Sequence, residues 1–296
     1  MPEARTNTVN KFKKYIDKLD LVYKQSSKTA VLDGDNSLVQ MGANAGEFLI
    51  PMLDMDGLGD YDRNSGYVQG TVSITMQTQK CEYDRGRKFT VDAMDNEETA
   101  GILFGRLSAE FIRTKVVPEL DAYRFAKYAA LSGTVQSGTF ANGKDVLNAI
   151  RAAKTEMQNN EVGLDNLVLF IDPGLNGAVQ DVDTTTSKAV MSSFSQVIEV
   201  PQARFYTGID LLDGKTDDEL LGGFKPSSGA YRINFQIMDR NAVIQFQKHV
   251  VNKIIGPEAN QTSDGYLFFY RAYGIAERYQ NKAKGIYTHR DTTAIE

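Results

Sequence analysis

From Tyr67 to Met76 the chain alternates: Val68, Gly70, Val72, Ile74 and Met76 occur at every second position among mostly polar neighbours, the period of a half-buried strand. Asp84-Arg85-Gly86 follows as a turn or bulge signal, and Lys88 to Val91 resumes as a strand. Residues 67–92 therefore read as an extended hairpin with charged flanks. The period then changes to that of a helix. Ile102, Leu103, Leu107, Phe111, Val116, Leu120, Tyr123 and Ala126 form one apolar stripe over residues 96–131. Asp95 is placed to cap this helix, with Glu98 three residues on, and Pro118 should kink or split it. About 35 helical residues would span roughly 50 Å. A charged hairpin followed by such a rod is a poor frame for an active site and a good one for a protomer that reaches across its neighbours.

The flanking pattern extends this reading. In residues 8–24, Val9, Phe12, Ile16, Leu19 and Tyr23 recur at helical spacing, predicting an amphipathic helix that either docks on its own chain or packs on a neighbour. Residues 25–46 are polar and small and read as an arm. Glu47 to Leu53 is a short apolar run that Pro51 restricts to a sheet edge, and residues 54–66 read as a loop. Residues 133–143 suggest a loop, with Asp145 capping a helix to Asn159. Leu167 to Ile171 is a continuous apolar run, expected to be buried on both faces. Asp172-Pro173 opens another helix, and a short helix is expected over 187–195. Val197 to Pro201 and Arg204 to Tyr206 read as strands. Helix and strand alternate here, so 134–230 reads as α/β. After a polar loop at 213–229, long strands are expected over 232–238, 243–255 and 266–279, and a last one near 285–288.

Composition narrows the class. A net charge of −5 and a pI near 5.3 argue against a protein that grips nucleic acid through a basic face, although an acidic wall can enclose it. No apolar window is long enough for a membrane-spanning helix, and residues 1–7 lack the apolar core of a secretory signal. The single cysteine, Cys81, cannot form an internal disulfide.

The motifs for chemistry fall short. Gly138 to Lys144 follows the phosphate-binding loop pattern, but Asp145 stands where Ser or Thr must hold magnesium, and a helix is predicted before it. In the Gly208–Thr216 stretch, five residues separate the two glycines, one more than the pattern allows. Asp54, Asp56, Asp60 and Asp62 suggest a cation loop, yet Leu58 stands where an EF-hand needs an oxygen ligand and Ser65 where it needs the terminal glutamate. His249 and His289 lie on different predicted strands, no second histidine is at helical spacing, and no nucleophile elbow is present. No cofactor, metal or catalytic residue is assigned, and a metal- or nucleotide-dependent enzyme is the disfavoured reading. Arg85, Arg87 and Lys88 form a basic cluster beside Glu82 and Asp84, which is either a solvated, self-satisfied turn or an ion-pair surface between protomers.

Four segments carry a resemblance: Tyr83 to Phe89, Arg113 to Asp121, Val200 to Thr207, and Ala242 to Gln245 with Lys248 to Val251. Together with the order of elements, they resemble the major capsid proteins of tailed bacteriophages, the Hong Kong 97 fold, and in particular a branch common in phages and prophages of Firmicutes. The resemblance spans about residues 35–290. It implies an α+β chain with an N-terminal arm (1–44), an extended hairpin loop over a neighbour (45–93), a peripheral domain with a spine helix (94–133 and 231–296) and an axial domain (134–230). It also implies self-assembly into hexamers and pentamers of an icosahedral head, built in the host cytoplasm around double-stranded DNA bound without sequence preference. Arg85, Arg87, Lys88, Arg113 and Lys115 are the intersubunit residues it suggests. The implied partners are a portal protein, a separate scaffolding protein and decoration proteins, with no membrane. Lys80 and Lys88 cannot be matched residue by residue to a crosslink with Asn252 or Asn281. An encapsulin-like compartment shell is the alternative within the same fold.

Overall fold

The structure, a computed structural model, describes residues 27–34, 40–41, 47–94, 107, 110–182 and 184–296. The segment 8–24 and the helix start at Asp95–Glu98, with Ile102 and Leu103, lie outside them. In chain order the strands are β1 (Gln40–Met41), β2 (Glu47–Met55), β3 (Val72–Lys80), β4 (Tyr83–Asp92), β5 (Thr134–Ser137), β6 (Leu167–Ile171), β7 (Gln196–Glu199), β8 (Ile209–Leu212), β9 (Gly223–Pro226), β10 (Tyr231–Asp239), β11 (Val243–Ile255), β12 (Gly265–Arg278) and β13 (Ile286–Ala294). The helices are α1 (Val117–Ala130), α2 (Gly143–Asn159), α3 (Pro173–Gln180) and α4 (Thr184–Met191).

A mixed sheet in the order β5-β13-β10-β6-β7 forms the centre. β6 is buried along its whole length, as its apolar run predicts. Val168 and Phe170 face a core shared with Phe125, Tyr128 and Ala129 of α1, whereas Leu167, Leu169 and Ile171 face Val146, Ile150 and Met157 of α2. This is a helix-sheet-helix sandwich, so residues 134–230 do have α/β character. Their sheet, however, takes its inner strands β10 and β13 from 231–296. α3 opens at Pro173 as expected, and Asp172 caps it, accepting from the amides of Gly174 and Leu175. The cap of α2 is Asn142 rather than Asp145, its Oδ1 accepting from the Asp145 amide. Gly143 is required where α2 meets α3, because a β-carbon there would collide with the Ala178 carbonyl.

Pro118 does not split its helix. Helix continues from Glu110 to Ala130, with a π-turn at Ile112–Val116 immediately before the proline. Proline has no N–H for the carbonyl one turn back, and a widened turn accommodates that loss within a continuous rod.

A second sheet, β11-β12-β4, packs Tyr83, Phe268, Tyr270 and Ala272 on Val116 and Leu120. The expected hairpin is thereby corrected: β3 pairs with β2, and β4 pairs with β12 along its full length, so Asp84-Arg85-Gly86 is mid-strand and not a turn. Gly86 still has a local reason, since a β-carbon there would lie 2.8 Å from the Tyr270 carbonyl oxygen. The strand expected over Arg204 to Tyr206 does not form: Arg204 ends a 3₁₀ turn (202–204) and Tyr206 makes a single bridge to Arg232, while the polar loop at 213–229 contains β9, which pairs with β8.

Candidate assembly surface

β2 and β3 pair from Glu47–Lys80 out to Met55–Val72. The inner end is fixed to the body. Phe48 meets Phe246 edge-on at 5.1 Å, Gln77 Nε2 donates to the Arg278 carbonyl, and the Gln280 amide donates back to Gln77 Oε1. Among the described residues β1 pairs only with Leu49 and Phe48, and Pro51 lies beyond that pairing. The outer end differs. Val68, Val72, Ile74 and Met76, expected to be half-buried, are 69, 68, 65 and 49% exposed, and Leu53 and Met55 on β2 are 53 and 60% exposed. A strand period that predicts a buried face, with nothing among the described residues covering it, marks a surface for another molecule.

The tip is an ordered turn rather than a loose loop. The amide and hydroxyl of Thr71 donate to Asp56 Oδ2, both at 2.7 Å, Asp62 and Gly66 exchange backbone hydrogen bonds, and Tyr61 meets Tyr67 at 4.9 Å. The donors to Asp56 and Asp62 hold both carboxyls below the usual range. Two of the four candidate cation ligands thus close the tip, and among the described residues no group of three acidic, histidine or cysteine side chains could hold a metal.

The basic cluster separates into distinct roles. Arg85 Nε donates to Glu119 Oε1 at 2.8 Å, and its Nη2 donates to the carbonyls of Leu212 and Gly223. Arg87 Nη2 donates to the Leu220 carbonyl at 3.0 Å. Both arginines therefore tie the β8–β9 hairpin to β4 within one chain. Gly214 and Gly222 take positive φ beside Arg87, and a β-carbon on Gly214 would lie 2.7 Å from Arg87 Nη1. Glu82 and Asp84, their neighbours in sequence, pair elsewhere, with Lys127 and Arg271. Arg113 chelates Glu110 one turn away, while Lys88 and Lys115 are exposed.

The densest polar constellation went unread in sequence. Asp121, fully buried on α1, accepts at Oδ1 from Ser27 Oγ, the Thr29 amide and Thr29 Oγ1, and at Oδ2 from the Lys28 amide and Arg204 Nη1. Arg124 Nη1 donates to Thr29 Oγ1, and Gln245 Nε2 donates to the Thr29 carbonyl and Asp33 Oδ1. One carboxylate thus joins the strap Ser27–Asp33, the helical rod and the turn at 202–204. Asp121, Arg204 and Gln245 each sit in a segment that carries the resemblance, and their convergence is the one signal that could have located the site.

The remaining candidates are structural. His289 lies on β13 between the rings of Phe140 and Phe235, and its Nδ1 is 3.1 Å from Asn234 Nδ2. That amide nitrogen also donates to the Gly138 carbonyl, so Nδ1 is the acceptor and the ring proton is on Nε2. Burial pulls its pKa down to about 4. His249 is on β11, at the register shift between Gln247 and His249. Cys81 is half-buried, and burial pushes its thiol up. The stretch 138–145 follows strand β5 rather than a helix, and serves as the lead into α2.

No protein-family model and no curated protein matches the sequence. Solved structures do. The asymmetric unit of the bacteriophage PhiM1 mature capsid is 9% identical, with a TM-score of 0.67 over 95% of this chain and 92% of that one. A structure titled Mycobacterium phage Che8 is 12% identical, with a TM-score of 0.64 over 97% and 98% of the two chains. The capsid structure of the cyanophage P-SCSP1u is 10% identical, with a TM-score of 0.59 over 95% and 93%. End to end, the chain has the fold found in phage capsid structures.

Proposed function

We propose that this chain is the major structural subunit of an icosahedral shell, the head of a tailed double-stranded DNA phage. One observation carries the reading: a β2–β3 hairpin, rooted by Phe48 and Gln77, presents a strand-periodic apolar face that none of the described residues covers. Full-length likeness in fold to capsid structures supports it. In this reading residues 45–93 lie over a neighbouring subunit, the rod of 94–133 with 231–296 forms the peripheral part, and 134–230 forms the axial part at the centre of hexamers and pentamers. Lys88, Lys115 and Arg113 remain as intersubunit contacts, whereas Arg85 and Arg87 serve the interior of the subunit. A mildly acidic wall suits DNA enclosed without being gripped. Portal, scaffolding and decoration proteins are the expected partners in the virion.

Electron microscopy of the purified protein, alone and co-expressed with its neighbouring genes, tests the proposal. Closed shells, polyheads or isolated capsomers are the expected products. A uniform small oligomer under every co-expression condition overturns it.

A further inference from the structure

The lead from β5 into α2 is tied to the central sheet at Gly138. Its amide donates to the Arg290 carbonyl and its carbonyl accepts from Asn234 Nδ2, both at 3.0 Å. The same Asn234 nitrogen donates to His289 Nδ1 at 3.1 Å. We infer that Gly138, Asn234 and His289 form a proton-operated latch, which holds residues 138–142 on the sheet while His289 is neutral and frees them when Nδ1 takes up a proton.

Donors and acceptors set the two states. With a neutral ring, one NH₂ group serves two acceptors, the Gly138 carbonyl and Nδ1. A protonated Nδ1 is a donor and confronts that NH₂ group. Turning the Asn234 amide over offers Oδ1 to the imidazolium, but sets the same oxygen against the Gly138 carbonyl, whose hydrogen bond is lost. The lead is also the lid of the ring. Phe140 stacks on His289 at 4.9 Å, and a β-carbon on Gly138 would lie only 3.4 Å from Nε2, so displacing these residues opens the imidazole to water. Phe235 of β10 closes its other face. Among the charged neighbours, Asp291 on the same strand favours the proton, while Arg290 lies over the Tyr231 ring. Gln136, the register partner on β5, is neutral, and Glu156 of α2 accepts from Thr134 Oγ1. Burial outweighs Asp291 and pulls the pKa of the closed state down to about 4, whereas an opened latch returns it towards 6.5. Opening therefore takes up a proton, and acid favours it. Between pH 8 and pH 5 this linkage raises the open population about 30-fold. Acid thus loosens one end of the central sheet before it unfolds the body. The inference does not rest on the shell-forming reading.

Native-state hydrogen exchange on the full chain tests it. After correction for intrinsic exchange at each pH, protection of the Gly138 amide should fall about 30-fold from pH 8 to pH 5. The amides of β6, a strand buried along its whole length, should stay far better protected at both. His289→Phe removes the titrating group and should make Gly138 protection independent of pH over this range. Asn234→Asp supplies a carboxylate that accepts from the imidazolium and cannot donate to Gly138. Its protection should start lower at pH 8 and no longer fall towards pH 5, whereas an asparagine with a structural role alone would lower protection and leave the pH dependence intact. Wild-type protection that ignores pH, Gly138 protection equal to that of β6 at both pH values (global unfolding alone), or an unaltered pH dependence in either variant overturns the inference.

Discussion

Replacing Asp121 by asparagine keeps the shape of the side chain and removes its charge, so it isolates what the carboxylate does. Neither orientation of the new amide fits. With the NH₂ at the Oδ2 position it faces two donors, the Lys28 amide and Arg204 Nη1; at the Oδ1 position it faces three, the Ser27 hydroxyl and the amide and hydroxyl of Thr29. Arg204, 4% exposed, also keeps its charge without a counter-ion. Breaking a buried pair on one side typically costs about 3–5 kcal/mol, a large share of the roughly 5–15 kcal/mol that holds a folded domain together. Urea unfolding of the dispersed subunit, followed by circular dichroism, should show stability falling by that amount, through a lower midpoint at unchanged slope. Arg204→Met should be similarly damaging. Asp121→Leu with Arg204→Met should lose clearly less than the sum of the two single changes, because no charge is then stranded. A loss below about 1 kcal/mol for Asp121→Asn, or additive losses in the pair, would refute the view that this carboxylate organises the junction.

Other consequences can be checked separately. His289 has a folded pKa of about 4 against an ordinary 6.5, so the fold favours its neutral form. Its contribution is complete above pH 6.5, declines as pH falls towards 4 and changes little below that; the span is on the order of 3 kcal/mol. His289→Phe should flatten stability measured over that window, and an unaltered slope would exclude this residue as the cause. Gly214→Ala, at φ +71° and against Arg87, should lower stability by about 1–2 kcal/mol or more in a melt, and an Arg87→Ala background should remove only the part due to the clash, leaving the backbone cost of the positive φ. Ile74→Asp, on an exposed strand face, should leave the subunit's melting temperature within a degree or two yet abolish shells under the microscope; normal particles from this variant would exclude the hairpin face as an assembly contact.

Legibility in the sequence followed the range of the interaction. β11 was read to the residue and β6 by its buried run, since local apolar periodicity determines both. The start of α3 at Asp172-Pro173 was also legible, because a proline in the first turn is a local signal. Pairing was not. The alternation in 67–76 and the strand at 88–91 suggested one hairpin, but β3 turns back on β2 while β4 crosses to β12, a choice made by packing on α1 and not by the intervening turn. The basic cluster was visible while its partners were not, since Glu119 and the carbonyls of Leu212, Leu220 and Gly223 are remote in sequence. Asp121 passed unnoticed for a related reason. A lone aspartate in a charged helical stretch looks solvent-facing, and only the fold brings Ser27, Thr29 and Arg204 to it.

The central sheet carries a consequence for synthesis. β5 hydrogen-bonds to β13 alone, and β13 is also the neighbour of β10, so the strands from Thr134 onward wait for residues 286–294 before their layer closes. At ordinary translation speeds that interval is on the order of ten seconds. Throughout it, the emerging polypeptide exposes an unfinished sheet and cannot present a completed body to its siblings. Unpaired strand edges are open to wrong partners for as long as they wait, so the hazard for each copy ends only when the ribosome reaches its final strand.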